Sequence, residues 1–457
     1  MNNQTALGEE KIGRLLLKYS IPAIIGMVVT SFYNIADRAF IGAIDGVGPL
    51  AISGLGITMP VFTLILAFGM LVAMGGATNI AIKLGEGKRE EAERFLGNAF
   101  ILVVIISLMI TTVGLVFIDE ILMLFGASSD TLYYAKEYIS VIFIGTVFNL
   151  AGFVLNNAIR SDGNPKMAAK TMIVGCALNL ILDPIFIFVL GLGIRGAATA
   201  TVICQVIIFM WVFYYFTKGK SNLKLKKINF KLDSKIIKRI VVVGSAPFAM
   251  ELATSLVHVL LNNSLKIYGG DLAIGAMTAV TSIMLMFMMP VFGISQGVQT
   301  IIGYNYGAKK HNRCREAIKL AVLVATFILT LGFILVQVFP STFIGIFNKD
   351  EKLMSIAVEG IRLYLLTFPI VGVSIVGPIY FQSIGKAKHS MFLSLLRQII
   401  LLVPLLAILP KYFGLKGVWL VQPTSDLISA IIAVIFLRVE FKKASFLEVD
   451  NEEKINQ

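Results

Sequence analysis

Apolar runs of twenty or more residues recur along the whole chain, separated by short polar stretches. This is the tightest constraint the sequence sets. A helix needs about 20 apolar residues to cross a bilayer, and in lipid every backbone N–H and C=O must find its partner inside the chain. Composition agrees: of 457 residues, 57% are hydrophobic and only 15% charged, against a soluble norm of roughly 45–50% and about 25%. Too little charge remains to cover a soluble surface. The net charge of +13 does not imply nucleic acid, because the Lys and Arg residues lie between apolar runs, where they act as orientation signals. Cys176, Cys204 and Cys314 form an odd set without CxxC spacing, which argues against disulfides and zinc sites. The N-terminal residues lack the short apolar core and small-residue cleavage site of a removable signal peptide.

Counting apolar runs predicts an all-α polytopic membrane protein of twelve spans, near 15–41, 49–80, 94–117, 135–159, 167–190, 196–217, 236–264, 272–303, 315–339, 357–383, 389–409 and 416–437. With this count, 31 of the 40 Lys and Arg fall on one side of the membrane and nine on the other. The asymmetry places both termini in the cytoplasm. Residues 218–235, part of a stretch with nine Lys and Arg from Lys218 to Arg239, read as a basic cytoplasmic linker lying on anionic lipid. It divides an N-terminal lobe, 1–217, from a C-terminal lobe, 236–440, followed by a cytoplasmic tail, 441–457.

The halves resemble each other at a shift of about 222–225 residues. Ile21-Pro22-Ala23 faces Ala246-Pro247-Phe248, Arg160 to Lys166 faces Gln382 to Lys388, and Gly193-Ile194-Arg195-Gly196 faces Gly414-Leu415-Lys416-Gly417. Six spans in each half give the repeats one orientation, related by a pseudo-two-fold axis along the membrane normal, the parallel-repeat plan of secondary transporters.

A charge in the bilayer core costs about 2.5–3.5 kcal/mol on insertion scales, so each one asks for an explanation. Asp37, Asp183 and Thr201 fall about 6, 10 and 8 Å inside the outer ends of the first, fifth and sixth spans. Asn179 precedes Asp183 by four residues and shares its helix face. Pro184 removes an amide donor and predicts a bend in the fifth span. Two carboxylates, an amide and a hydroxyl make a hard, oxygen-rich cluster suited to Na⁺ or to a proton shared by coupled acids. A plainer reading pairs Asp37 with Arg38 and lets Asp183 cap a broken helix. The acidic site is not duplicated: Asp37 aligns with Asn262 and Asp183 with Leu405. The C-terminal half has Glu251 near mid-depth of the seventh span, able to exchange a proton or meet a cationic substrate, or to rest as a neutral acid on Ser255. Arg397 and Asp426 lie at similar depth on the eleventh and twelfth spans, which predicts a structural salt bridge.

Met284, Phe287 and Met288 belong to a Met- and Phe-rich stretch. Such stretches usually pack helices together, but Met also adapts to varied apolar shapes, as a chamber for bulky aromatic cations requires. Asn34, beside the acid cluster, is a further substrate candidate. His258, His311 and His389 are too scattered for a metal site, and no Walker sequence is present, so ATP does not drive transport on this chain. No cofactor is expected beyond a coupling ion, Na⁺ or H⁺.

Several motifs together resemble one family. Pro22 to Gly26, Tyr33-Asn34-Ile35-Ala36-Asp37 and Gly42 are similar to the first span of the multidrug and toxic compound extrusion (MATE) transporters, with an opening closest to the MepA-like bacterial members. Ile159 to Pro165 resembles that family's loop after span four, Asn179 to Pro184 and Gly193 to Thr201 its fifth and sixth spans, and Gly303 to Ala308 its loop after span eight. The resemblance covers roughly residues 12–440. It implies twelve helices in two six-helix lobes, alternating access, and export of cationic drugs or dyes against Na⁺ or H⁺ across the bacterial cytoplasmic membrane, by a monomer with no enzymatic activity. It also implies a cation site at Asp37, Asn179, Asp183 and Thr201. Glu251 matches a span-seven Glu of the NorM-like branch, but 360–382 lacks that branch's acid in span ten, which places the coupling ion in the N-terminal lobe. The rivals are a lipid-linked saccharide flippase of the same superfamily, which needs a basic cavity for pyrophosphate, and an intramembrane enzyme or scaffold.

Overall fold

The fold was obtained as a computed structural model and describes residues 3–44, 48–345 and 351–455. Among the described residues every regular element is helical. Nine helices long and apolar enough to cross a membrane follow in order: Ile12–Gly42, Ala51–Gly85, Arg89–Val116, Thr131–Ser161, Pro165–Val189, Gly193–Thr217, Ser234–Gly270, Leu272–Gly307 and His311–Val338. The tenth span is a broken pair, Glu351–Tyr364 and Phe368–Ser383, bent by 56°. The last helix, Ala387–Lys442, has 56 residues. At 1.5 Å per residue it is about 84 Å long, more than twice a hydrocarbon core of about 30 Å. Gly414, with φ of 56°, interrupts it, so it holds the eleventh and twelfth spans. The twelve spans expected from the sequence are thus accounted for.

The repeat is visible in the backbone. Left-handed residues recur about 222 positions apart: Gly87 and Lys309, Gly163 and Gly385, and Gly193 and Gly414. The short helices Ile118–Leu124 and Pro340–Gly345, after the third and ninth spans, correspond in the same way. Local sequence explains the sharp turn into the fifth span. Gly163 supplies a φ of 91°, the Asn164 side chain accepts the Met167 N–H at 3.2 Å, and Pro165 occupies the first helical turn, where its missing N–H costs nothing.

Two compact units are present, one of Met1–Glu9 with Ile21–Glu251, the other of Glu10–Ser20 with Leu252–Gln457. The first span therefore divides between Ser20 and Ile21, and the seventh between Glu251 and Leu252. Close packing explains the division. In the first unit, a Cβ at Gly75 would collide with the Ile240 carbonyl and one at Gly244 with the Leu71 carbonyl, and the Phe68 and Phe248 rings meet at 5.1 Å. In the second unit, Gly297 is pressed against Tyr19 and Ser20, and Arg313 Nη2 donates to the Glu10 carbonyl at 2.6 Å.

The basic linker is not the loose solvated strand the sequence suggests. Asp162, buried at the end of the fourth span, accepts from Tyr215 Oη at 2.8 Å, Ser221 Oγ at 2.9 Å, and the backbone N–H groups of Asn222 at 3.2 Å and Leu223 at 3.1 Å. Burial pushes its carboxyl above the usual range while these four donors pull the other way. Buried Glu93 accepts the Lys224 N–H at 3.1 Å and pairs with Lys226 Nζ at 2.6 Å. Asn98 donates to the carbonyls of Asn229 and Lys231 and accepts the Asp233 N–H at 2.8 Å. The strand is strapped to the N-terminal end of the third span and the C-terminal end of the fourth. Asp162→Ala leaves four donors without their acceptor, a local loss of about 2–3 kcal/mol. We expect trypsin to cut the Lys-rich segment 218–239 roughly 30- to 100-fold faster in that variant, with Asp162→Asn between the two. Digestion of Asp162→Ala at the wild-type rate would mean that the strap is held by other contacts.

Candidate functional site

The first, fifth and sixth spans carry the residues singled out by spacing, and the structure brings them together. Asp37, Asn179 and Asp183 are 7%, 3% and 0% exposed. Asn179 Nδ2 donates to Thr201 Oγ1 at 3.3 Å, tying the fifth span to the sixth. The side chains of Asp37 and Asp183 lie within hydrogen-bonding reach of each other, and Asn179 lies within reach of Asp183. Arg38 does not serve as the counter-ion of its neighbour: its Nη2 donates to Met59 Sδ at 3.8 Å. After Asp183-Pro184 the fifth span continues as a π-helical turn, Ile185–Val189, rather than ending. Such turns absorb a missing hydrogen bond and often mark functional positions.

The cluster is short of donors. Asp37 Oδ1, both carboxyl oxygens of Asp183 and Asn179 Oδ1 are buried without a hydrogen-bond donor among the described residues, as is Gln205 Oε1, which lies toward Gly145 of the fourth span. An ionised Asp accepts only, and the Asn179 amide group already donates to Thr201. Two carboxylates about 4 Å apart repel by about 4 kcal/mol even at an effective dielectric constant of about 20. Each orphaned buried acceptor adds about 1–3 kcal/mol. One proton bridging the acids, or one small hard cation among the oxygens, removes both penalties.

Residues the sequence reading passed over complete the site. Tyr33, one turn before Asp37, lies near Thr201 and both acids. Gln205 follows Thr201 by one turn, and Cys204, beside it, is within reach of Asn179. Cys176, one turn before Asn179, has its Sγ 3.7 Å from Thr30 Oγ1. Helical spacing from the four named residues would have found these. Buried Tyr138 of the fourth span, close to both acids and 6.0 Å from the Phe62 ring, has no such signal.

The remaining candidates lie elsewhere. Asn34, one turn before Asp37, is exposed. Glu251 is half-buried, at the point where the seventh span divides between the units. In the eighth span, Met284 is half-buried and Met288 buried, while Phe287 packs on Gly332 with its ring 6.2 Å from Phe343 and 6.4 Å from Phe368. Phe287 and Met288 are therefore packing residues of the second unit. Arg397 Nε lies 2.6 Å from Asp426 Oδ1, with both side chains buried.

Comparison with known proteins places this geometry. The profile of the MatE family matches residues 22–185 and again 247–408, one copy in each half. The "Multidrug export protein MepA" of Staphylococcus haemolyticus (strain JCSC1435) is 26% identical over 447 residues, covering 97% of this chain and 98% of that protein. The protein of the same name from Staphylococcus aureus (strain MRSA252) is 27% identical over 433 residues, with 93% and 94% covered. Among solved structures, a crystal structure of "MATE in the bent conformation" superposes with a TM-score of 0.92 at 25% identity, covering 98% of this chain and 99% of that one. With both halves matched by the profile and the fold shared along the length, this chain belongs to the MatE family, the multidrug and toxic compound extrusion transporters that its motifs resemble.

Proposed function

We propose that the chain is a secondary active multidrug exporter of the bacterial cytoplasmic membrane, acting as a monomer with both termini in the cytoplasm. It exchanges bulky organic cations, drugs or dyes, for Na⁺ or H⁺ by alternating access. Its export role is supported by relatives named for multidrug export along nearly the whole chain. The ion coupling rests on one observation: four buried oxygens without donors, on Asp37 of the first span and Asn179 and Asp183 of the fifth.

Exchange follows from that charge. The coupling ion and a cationic substrate draw on the same negative charge, so the entry of one weakens the hold on the other. For exchange to run in one direction, ion and substrate must favour opposite states, and about 5.5 kcal/mol of differential binding takes a two-state equilibrium from 1:99 to 99:1. Relief of carboxylate repulsion together with the matching of several orphaned acceptors is of that order. Glu251, on the seventh span, is a second candidate for a proton or a cationic group. A flippase is less well supported, because its pyrophosphate needs free cations, and the deep Arg397 is engaged by Asp426.

Proteoliposomes with separately imposed sodium and pH gradients test the coupling. Dye efflux should follow one of the two inward cation gradients and stop when that gradient is dissipated. Efflux indifferent to both would remove the proposed drive. Asp37→Asn should abolish efflux at normal protein level. The same variant should raise the thermal midpoint measured without ion in detergent, because an amide donor then meets Asp183 and one of the facing charges is gone, a gain of about 1–2 kcal/mol. A midpoint lowered by Asp37→Asn would mean that the acids are already satisfied in the folded state.

A further inference from the structure

The two halves build a polar cluster at matching positions and leave it in opposite states. The sixth and twelfth spans start at corresponding left-handed glycines, Gly193 with φ of 54° and Gly414 with φ of 56°. Eight residues on stand Thr201 and Gln422, and twelve residues on stand Gln205 and Asp426. In the first half Thr201 on this face accepts from Asn179 of the fifth span, while Gln205 Oε1 is buried without a donor near Gly145 of the fourth. In the second half the same face meets the eleventh span. There Arg397 Nε donates to Asp426 Oδ1 at 2.6 Å, Gln422 Nε2 donates to the same oxygen at 3.0 Å, and Tyr364 Oη donates to Gln422 Oε1 at 3.4 Å. Arg397 and Asp426 are 8% and 3% exposed. One cluster has oxygens and no positive charge; the other has an oxygen with two donors and a fixed positive charge.

The backbone is shaped to hold that charge. Arg397 lies in a π-helical turn, Leu396–Leu401, within the eleventh span. A π turn admits one extra residue and disturbs the local hydrogen-bond ladder. Ser425 Oγ of the twelfth span donates to the Arg397 carbonyl at 2.6 Å, fixing the turn to the helix that carries Asp426.

We propose that Arg397 is a tethered cation filling a degenerate second ion site, whose remaining ligands are Asp426 and Gln422. Without the guanidinium, the second half would take up a proton or Na⁺ there. The ion gradient then acts on the first half alone, because its counterpart carries its own positive charge. This inference rests on the reading of the Asp37 and Asp183 cluster as the coupling-ion site, and the test separates the two.

Cation uptake is measured on purified full-length protein without drug, by proton titration and by binding of radiolabelled Na⁺. Arg397→Gln should take up one more cation per chain than wild type. Arg397→Gln combined with Asp426→Asn should return to the wild-type number. Arg397→Gln combined with Asp37→Asn should keep the additional cation while losing the one held in the first half. If Asp37→Asn changes nothing but Arg397→Gln gains a cation, the first-half reading fails and the tethered cation stands. A folded Arg397→Gln with wild-type uptake overturns the proposal and leaves an ordinary salt bridge. Should Arg397→Gln not fold, Arg397→Ala is prepared with guanidinium chloride at low millimolar concentration. Recovery of monodisperse protein by guanidinium, and not by equal choline chloride, supports a replaceable cation; no recovery overturns it.

Discussion

A carboxylate in a low-dielectric interior requires a donor or a positive charge beside it, and Asp37 Oδ1 and both carboxyl oxygens of Asp183 have no hydrogen-bond donor among the described residues. The surroundings do not relieve this. Asn179 Nδ2 donates to Thr201, Arg38 reaches Met59, and buried Tyr138 lies against Phe62. These acid oxygens are thus left unmatched by the side chains packed around them. The same feature makes the site costly to the fold, which fits the general opposition between stability and function at sites of this kind.

Elsewhere in the first unit buried acids are treated in the opposite way. Asp162 has four donors, and Glu93 has a backbone amide and Lys226. These acids fix the linker to the ends of the third and fourth spans, so the chain enters the seventh span from a set position. Buried charge therefore serves two ends in one unit, and the number of donors around each acid separates them. Satisfied acids pin the chain at the linker, while the unsatisfied pair lies toward the C-terminal ends of the first and fifth spans.

Much of this was legible in the sequence, for physical reasons that differ by residue. The spans followed from hydropathy, because lipid forbids unpaired backbone whatever the neighbours are. The turn at Gly163-Asn164-Pro165 followed from local backbone chemistry. Asp37 and Asp183 stood out because intramembrane acids are rare. Tyr138 did not, because a tyrosine in an apolar helix carries no mark of what it faces, and only the packing of the fourth span reveals it. The strap was hidden for a similar reason. A run of lysines reads as solvated, and its partners Glu93, Asn98 and Asp162 lie more than fifty positions away from most of the residues they hold. Phe287 and Met288 show the limit of composition, since a packing stripe and a chamber wall use the same side chains.

The division of the first and seventh spans between the two units adds a last constraint. Each span crosses from one unit to the other near a proline: Pro22 follows the Ser20–Ile21 division, and Pro247 precedes the Glu251–Leu252 division by one turn. A proline inside a helix removes one backbone hydrogen bond and disturbs the turn before it, so bending costs less there than in the flanking helix. On the N-terminal side of these points both spans are held by close backbone contact at Gly75, Gly244 and Gly297, where no side chain can be inserted without displacing the neighbour. Farther along, the first span carries Asp37. The first span therefore has a fixed N-terminal stub and a weakened point at Pro22, and bending costs least at that proline.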